Sequence, residues 1–216
     1  NGVQVGTWRI TRQLESFSYS NEWILRAEAR PLSLSLPFLP GNAAHQGDPV
    51  NYYFDNLLPD SDVIRRRLAS RYQVKSLGAF DLLSQLGRDC VGAIQLLPDG
   101  ELPVEIYQIQ GRVLSNEEIA DHLRRVSSDS VFRQAEQSND LRLSIAGAQE
   151  KTALLKRDGR WLLPQGSTPT THILKLPLGL VGHMRADMRT SVENEWLCSK
   201  IMAAYGIPTP SCEINS

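Results

Sequence analysis

Lys175 lies between Leu174 and Leu176 in an apolar run, and Glu195 lies further on in a helix-forming run. A small-residue turn, Ser144-Ile145-Ala146-Gly147-Ala148, precedes both. Together these residue types could hold a nucleotide triphosphate. A turn without bulky side chains lets backbone N–H groups approach phosphates, and an ammonium group on a nearby strand neutralises their charge. Lys151, just past the turn, reads as a second phosphate ligand or as a strand-start charge. Each piece also has a plain reading. One glycine makes neither GxGxxG nor GxxxxGK[ST]. A lysine between leucines can be an edge residue whose head reaches water, and a helix glutamate is commonly just solvated. Ser144 reads either as a loop hydrogen-bonder or as a phosphorylation target inside the loop. A phosphate there would add about two negative charges where ATP phosphates should sit.

The elements around these residues give the set its meaning. The pattern predicts a strand from Thr152 to Leu155, a tight reversal at Asp158-Gly159 and a return strand from Arg160 to Leu163. A loop rich in Thr, Ser, Gly and Pro then leads to a strand from Thr171 to Leu176. His172 alternates with Leu174 and Leu176 and is read as a packing residue. Gly179 to Arg189 reads as a loop. Thr190-Ser191-Val192-Glu193 has capping-box spacing. It opens a predicted helix to Tyr205, closed by Gly206 with Pro208 beyond. Leu197, Ile201, Ala204 and Tyr205 share one stripe, which is expected to pack. Glu195 falls on another face, free to reach across to a strand. Small-residue loop, strand lysine, helix glutamate is the order of a protein kinase's upper lobe.

Upstream, residues 3–20 alternate loosely and predict short antiparallel strands. Pro31-Leu32-Ser33-Leu34-Ser35-Leu36-Pro37 has strict period-two spacing and reads as a half-buried strand. Asp60 or Ser61 can cap a helix from Asp62 to about Tyr72, with Val63, Ile64, Leu68 and Tyr72 as its apolar stripe. Arg65-Arg66-Arg67 reads as that helix's solvated face. Phe80 to Leu86 is a short amphipathic helix. Strands are expected at Val91–Leu97 and Ile106–Ile109. Ser115 and Glu118 form a capping box that opens a helix to about Val126. The serine-rich segment 127–139 is the expected boundary between residues 1–126 and 140–216.

The 216 residues are 41% hydrophobic and 22% charged, with a net charge of −1. That balance suits a soluble globular protein and supplies no global basic field to recruit nucleic acid. Cys90, Cys198 and Cys212 lack CxxC spacing, which argues for a reducing cytosol and against a disulfide scaffold or a zinc site. No apolar run approaches the ~18 residues that span a bilayer, so a membrane role is not expected. The chain does not begin with Met. Asn1-Gly2 resembles a hairpin turn lacking its first strand, and the strand-like Cys212-Glu213-Ile214 ends the chain. Both ends read as those of a fragment.

Several motifs resemble the HipA toxin kinases: Ser144 to Lys151, Thr168 to Pro177 and Ser191 to Glu195. So do Arg30 to Pro37, Phe54 to Asp60, Phe80 to Ser84, Gly87 to Asp89 and Val91 to Ala93. They occur in the family's order and cover nearly the whole chain, which corresponds to the N-terminal half of such a protein. The resemblance implies an α+β fold. An antiparallel N-terminal subdomain would precede the nucleotide-binding lobe of an atypical protein-kinase-like fold, with the C-terminal helical lobe absent. It implies an ATP-binding loop at Ala146, Gly147, Ala148, Gln149, Glu150 and Lys151, with Lys175 on the phosphates and Glu195 orienting it. Ser144 would be the autophosphorylation site that shuts the enzyme off. It further implies a HipB-like helix-turn-helix antitoxin, operator DNA bound mainly through that antitoxin, and glutamyl-tRNA synthetase as substrate. Phosphorylating that enzyme would starve translation and favour dormancy. The setting would be cytoplasmic.

The departure from the family is the chemistry itself. These residues contain no HRDxxxxN-like run and no DFG, so the catalytic Asp and the Mg2+ ligands are expected in the C-terminal lobe. The chain alone is expected to hold no catalytic residue and no metal site, and not to transfer phosphate. The rival expectation is a non-catalytic module that docks the antitoxin. A free-standing nucleic-acid binder is disfavoured by the charge and by the lack of interleaved aromatic and basic residues.

Overall fold

The computed structural model describes residues 2–12, 14–89, 94–103, 108–127, 149, 151–165, 168–181 and 184–215. The fold is α+β with antiparallel sheets. Strands β1 (Gly6–Thr11) and β2 (Leu14–Tyr19) pair in the register Gly6↔Tyr19 to Thr11↔Leu14. After the short helix α1 (Asn21–Ile24), strand β3 (His45–Gln46) joins the other edge of β2. Helices α2 (Asp48–Asp55), α3 (Asp62–Tyr72) and α4 (Ala79–Leu86) follow and cover this sheet. Their apolar stripes bury Val50, Phe54, Ile64, Leu68, Leu82 and Leu83 with Phe17 and Tyr19 of β2. Trp8 stacks flat on Phe54 at 3.8 Å between ring centroids. Each such side chain contributes roughly 1.5–3 kcal/mol when taken from water.

Three upstream expectations change. Residues 31–37 form a turn rather than a strand: the Ser35 N–H donates to Ser33 Oγ, which bends the backbone locally. Leu36 is buried, while Leu34 is 98% exposed at the turn's tip. Tyr19 pins the segment, its hydroxyl donating to the Leu36 carbonyl at 2.5 Å and accepting from the Leu32 N–H at 2.8 Å. Arg65 does not belong to a solvated face. Its guanidinium grips Asp55 at 2.7 and 3.0 Å and donates to the Pro59 carbonyl at 2.6 Å. Val63 of the predicted stripe is exposed.

The second sheet is ordered β4-β6-β5-β7, all antiparallel, from β4 (Gly111–Leu114), β5 (Lys151–Arg157), β6 (Arg160–Pro164) and β7 (His172–Lys175). Asp158 (φ 52°) and Gly159 (φ 73°) both take left-handed conformations in the β5–β6 turn, as a two-residue hairpin demands. Helix α5 (Asn116–Ser127) covers one face, where Leu114, Leu154 and Leu163 are buried with Ile119, Trp161 and Leu174 against them. Its capping box is formed: the Ser115 N–H donates to Glu118 Oε2 and the Glu118 N–H to Ser115 Oγ. Strand β4 starts later than the Ile106–Ile109 expectation, of which residues 106 and 107 lie outside the described residues. Its pairing with β6 ties residues 111–114 to this sheet, although composition grouped them with residues 1–126. Residues 94–97 of the expected 91–97 strand are not strand, and residues 91–93 lie outside the described residues. So do residues 128–139 of the expected boundary, and Asn1.

A hairpin of β8 (Gly179–Val181) and β9 (Ala186–Met188) replaces the expected loop at 179–189. Helix α6 (Ser191–Ala204) follows. It ends as expected, with Gly206 at φ 72° and the Ile207 and Gly206 N–H groups donating back to Met202 and Ala203. Its start and its face are corrected. Thr190 makes no side-chain cap bond, because its backbone is not in the extended region that aims the hydroxyl inward. None of the α6 residues is buried, so the Leu197–Ile201–Tyr205 stripe faces solvent here. No helix among the described residues is long and apolar enough to cross a membrane.

Candidate functional site

Strands β5 and β7 pair in the register Lys151↔Lys175, Thr152↔Leu174, Ala153↔Ile173 and Leu154↔His172. Residues directly opposite in an antiparallel pair share a face. Lys151 and Lys175 therefore project from the same face of the sheet. Thr152 and Leu154 face the other way, toward α5. Thr152, Ala153, Leu154 and Leu155 are buried and hold the strand, while Lys151 at its start is only half-buried.

The two lysines have different surroundings. Lys175 Nζ donates to Glu195 Oε1 at 2.5 Å, an ion pair between β7 and α6. The approach is set by the backbone. Leu178, just past β7, donates its N–H to Ser191 Oγ at 3.0 Å, tying the strand's exit to the first residue of α6. Glu195 follows about one helical turn later. Lys151 makes no ion pair among the described residues. Burial first, and then the charge of Lys175, hold its ammonium group below the ordinary lysine pKa, with Asp60 and Glu195 acting in the opposite direction.

Of the residues expected in the small-residue loop, Gln149 is described. Its side-chain amide donates to the Leu176 carbonyl at 2.7 Å, fastening the approach to β5 onto the end of β7. Ser144, Ala146, Gly147, Ala148 and Glu150 lie outside the described residues. His172 is exposed rather than packed inside. It meets the Trp161 ring edge-on at 4.9 Å and shares a hydrogen bond with Thr171 Oγ1. Among the described residues no group of three or more His, Cys, Asp or Glu side chains could hold a metal ion.

One pair escaped the sequence reading. His122 of α5 and Thr152 of β5 are both buried, and Nε2 and Oγ1 share a hydrogen bond at 2.9 Å. A histidine midway along an amphipathic helix gives no sign of its partner 30 residues away.

Two lysines thus share one face of the sheet at the β5–β7 ladder, and one of them is ion-paired to a helix carboxylate.

Comparison with known proteins agrees with this architecture. Residues 1–97 match the family model described as HipA N-terminal domain, and residues 143–216 the one described as HipA-like C-terminal domain. A Sinorhizobium fredii protein named as a candidate kinase, Y4mE, is 31% identical over 205 residues, covering 93% of this chain and 45% of its own length. The serine/threonine-protein kinase toxin HipA of Shewanella oneidensis is 26% identical over 180 residues, 80% of this chain and 38% of that protein. The chain thus spans less than half the length of the curated relatives it matches. Among solved structures, the Shewanella oneidensis MR-1 toxin–antitoxin complex of HipA, HipB and operator DNA is similar in fold. Its TM-score is 0.70 at 21% identity, covering 98% of this chain and 45% of that one.

Proposed function

The chain belongs to the HipA family, and from that premise we propose that it carries the nucleotide-binding lobe of an ATP-dependent serine/threonine protein kinase toxin. The observation that supports this reading best is the Lys175–Glu195 ion pair beside Lys151. In a kinase the strand lysine must be held by a helix carboxylate to meet the nucleotide phosphates. Here that carboxylate comes from α6, which the Ser191–Leu178 hydrogen bond sets beside β7.

The residues fit ATP by the chemistry of their donors. Lys151 and Lys175 would neutralise the phosphates, and backbone N–H groups of Ala146 to Glu150 would close over them. Bound there, ATP supplies the phosphoryl group. Lys175 orients the phosphates, Glu195 orients Lys175, and the Gln149–Leu176 bond anchors the loop at its C-terminal end. Ser144, at the start of that loop, is the proposed site of self-phosphorylation. Mg2+ is the proposed companion ion, with ligands outside these 216 residues. The catalytic base is proposed to lie outside these residues, so that the chain by itself would bind nucleotide without transferring phosphate.

Membership of the family extends the proposal to partners. A HipB-like helix-turn-helix antitoxin would bind the protein and bring operator DNA with it. Glutamyl-tRNA synthetase is the proposed substrate, in the cytoplasm, with arrested translation and dormancy as the outcome. The test is growth arrest by the full-length protein. Lys175→Ala should abolish it, and undiminished arrest would reject the assignment. Ser144→Ala should remove self-phosphorylation, and persistence of the mark at another residue would reject that role.

A further inference from the structure

We propose that His122 is a positioning residue for Lys151, acting through Thr152. Thr152 is fully buried on β5, and its hydroxyl shares a 2.9 Å hydrogen bond with His122 Nε2 on α5. A buried hydroxyl needs a partner, so the bond fixes how far β5 sits from the helix. It also fixes how the strand is rotated at that residue. Thr152 immediately follows Lys151, and successive strand residues point to opposite faces. A change of strand rotation at Thr152 is therefore transmitted directly to the Lys151 side chain.

Helix α5 is itself held rigidly enough to serve as the reference. The Ser115–Glu118 capping box fixes its start. Ile119, one turn in, packs on the cluster of Leu114, Leu154 and Leu163. At the edge of β5 the ladder to β7 and the Gln149–Leu176 bond set the register. Those contacts fix position along the strand. The His122–Thr152 bond adds the perpendicular restraint. The groups that act on Lys151 are the Lys175 ammonium and the Asp60 and Glu195 carboxylates. Their balance depends on where the Lys151 head lies.

The role in nucleotide binding rests on the kinase reading above, whereas the role in placing Lys151 does not, and the experiment separates them. In the full chain, Thr152→Val and His122→Leu remove the bond, while Thr152→Ser and His122→Gln retain a hydroxyl or a donor. Two quantities are read on each folded variant: the pH profile of Lys151 by competitive amine acetylation with mass spectrometry, and the affinity for ATP by calorimetry. We expect the Val and Leu variants to shift the Lys151 profile and weaken ATP about tenfold, the scale on which displaced positioning groups act. The Ser and Gln variants should restore both. A lowered melting temperature with an unmoved Lys151 profile would overturn the proposal and leave the pair a packing feature. A shifted profile in a chain that binds no ATP would support the positioning role and sink the nucleotide reading.

Discussion

Lys151 of β5 and Lys175 of β7 are direct cross-strand partners, yet among the described residues only Lys175 closes an ion pair, with Glu195. Two like charges facing each other across a ladder repel. The fold relieves one of them with the Glu195 carboxylate, and under the proposed function an incoming anion would relieve the other.

Lys151 should therefore titrate below the ordinary lysine value of 10.5, with burial and Lys175 as the causes in that order. The folded state releases this proton at lower pH than the unfolded chain does. Its contribution to stability consequently rises with pH across the window between the lowered folded value and 10.5. Lys175→Met should move the Lys151 titration upward. Site-resolved NMR of the lysine side chains measures both, and a Lys151 that titrates at or above the ordinary value contradicts the geometry.

Glu195→Gln keeps the size of the side chain and removes the charge that orients Lys175. In the full-length protein, phosphorylation should slow by about 10- to 100-fold, the range over which misplaced reacting groups act. ATP affinity should change much less, since both lysines remain. Steady-state kinetics with separate kcat and KM decide it: a loss confined to KM contradicts an orienting role.

Leu154 and Leu34 offer a contrast in stability. Leu154→Ala, in the buried cluster beneath α5, should cost about 2–5 kcal/mol in urea denaturation. Leu34→Ser, at the exposed tip of the 31–37 turn, should stay within about 0.5 kcal/mol of the parent. Equal effects would mean that the second sheet does not carry a core.

The two segments with capping-box spacing make a second contrast. Ser115→Ala should cost about 1 kcal/mol, because its hydroxyl accepts the Glu118 N–H. Thr190→Ala should be nearly silent, whereas Ser191→Ala should cost about 1 kcal/mol through the lost Leu178 bond. Thermal melts of the three variants give the ranking, and a Thr190 variant that outweighs the Ser191 variant contradicts it.

That contrast also shows what could be read in the sequence. Ser115 and Glu118 satisfy each other within one helical turn, so residue type and spacing were enough. The same held for the Asp158-Gly159 reversal, where two left-handed residues are a local demand. Thr190 to Glu193 has the same spacing, but Ser191 is recruited by Leu178, a tertiary partner that spacing does not reveal. In the 31–37 segment the period-two leucines suggested a strand, and the Ser33 hydroxyl settled the backbone into a turn instead. At the site, the lysine and glutamate were legible as types in order. Their meeting at 2.5 Å depends on how β7 and α6 are joined. The β8–β9 hairpin and the His122–Thr152 bond were not legible, since one carries a left-handed Arg185 that residue type does not announce and the other depends on packing at long range.

The most direct measurement uses an acyl-phosphate derivative of ATP, which acylates lysines lying against the phosphates, followed by mass spectrometry of the labelled peptides. Modification at Lys175 or Lys151 that excess ATP suppresses is the expected result. Labelling of neither lysine, or labelling that ATP leaves unchanged, would rule out a nucleotide site at this pair.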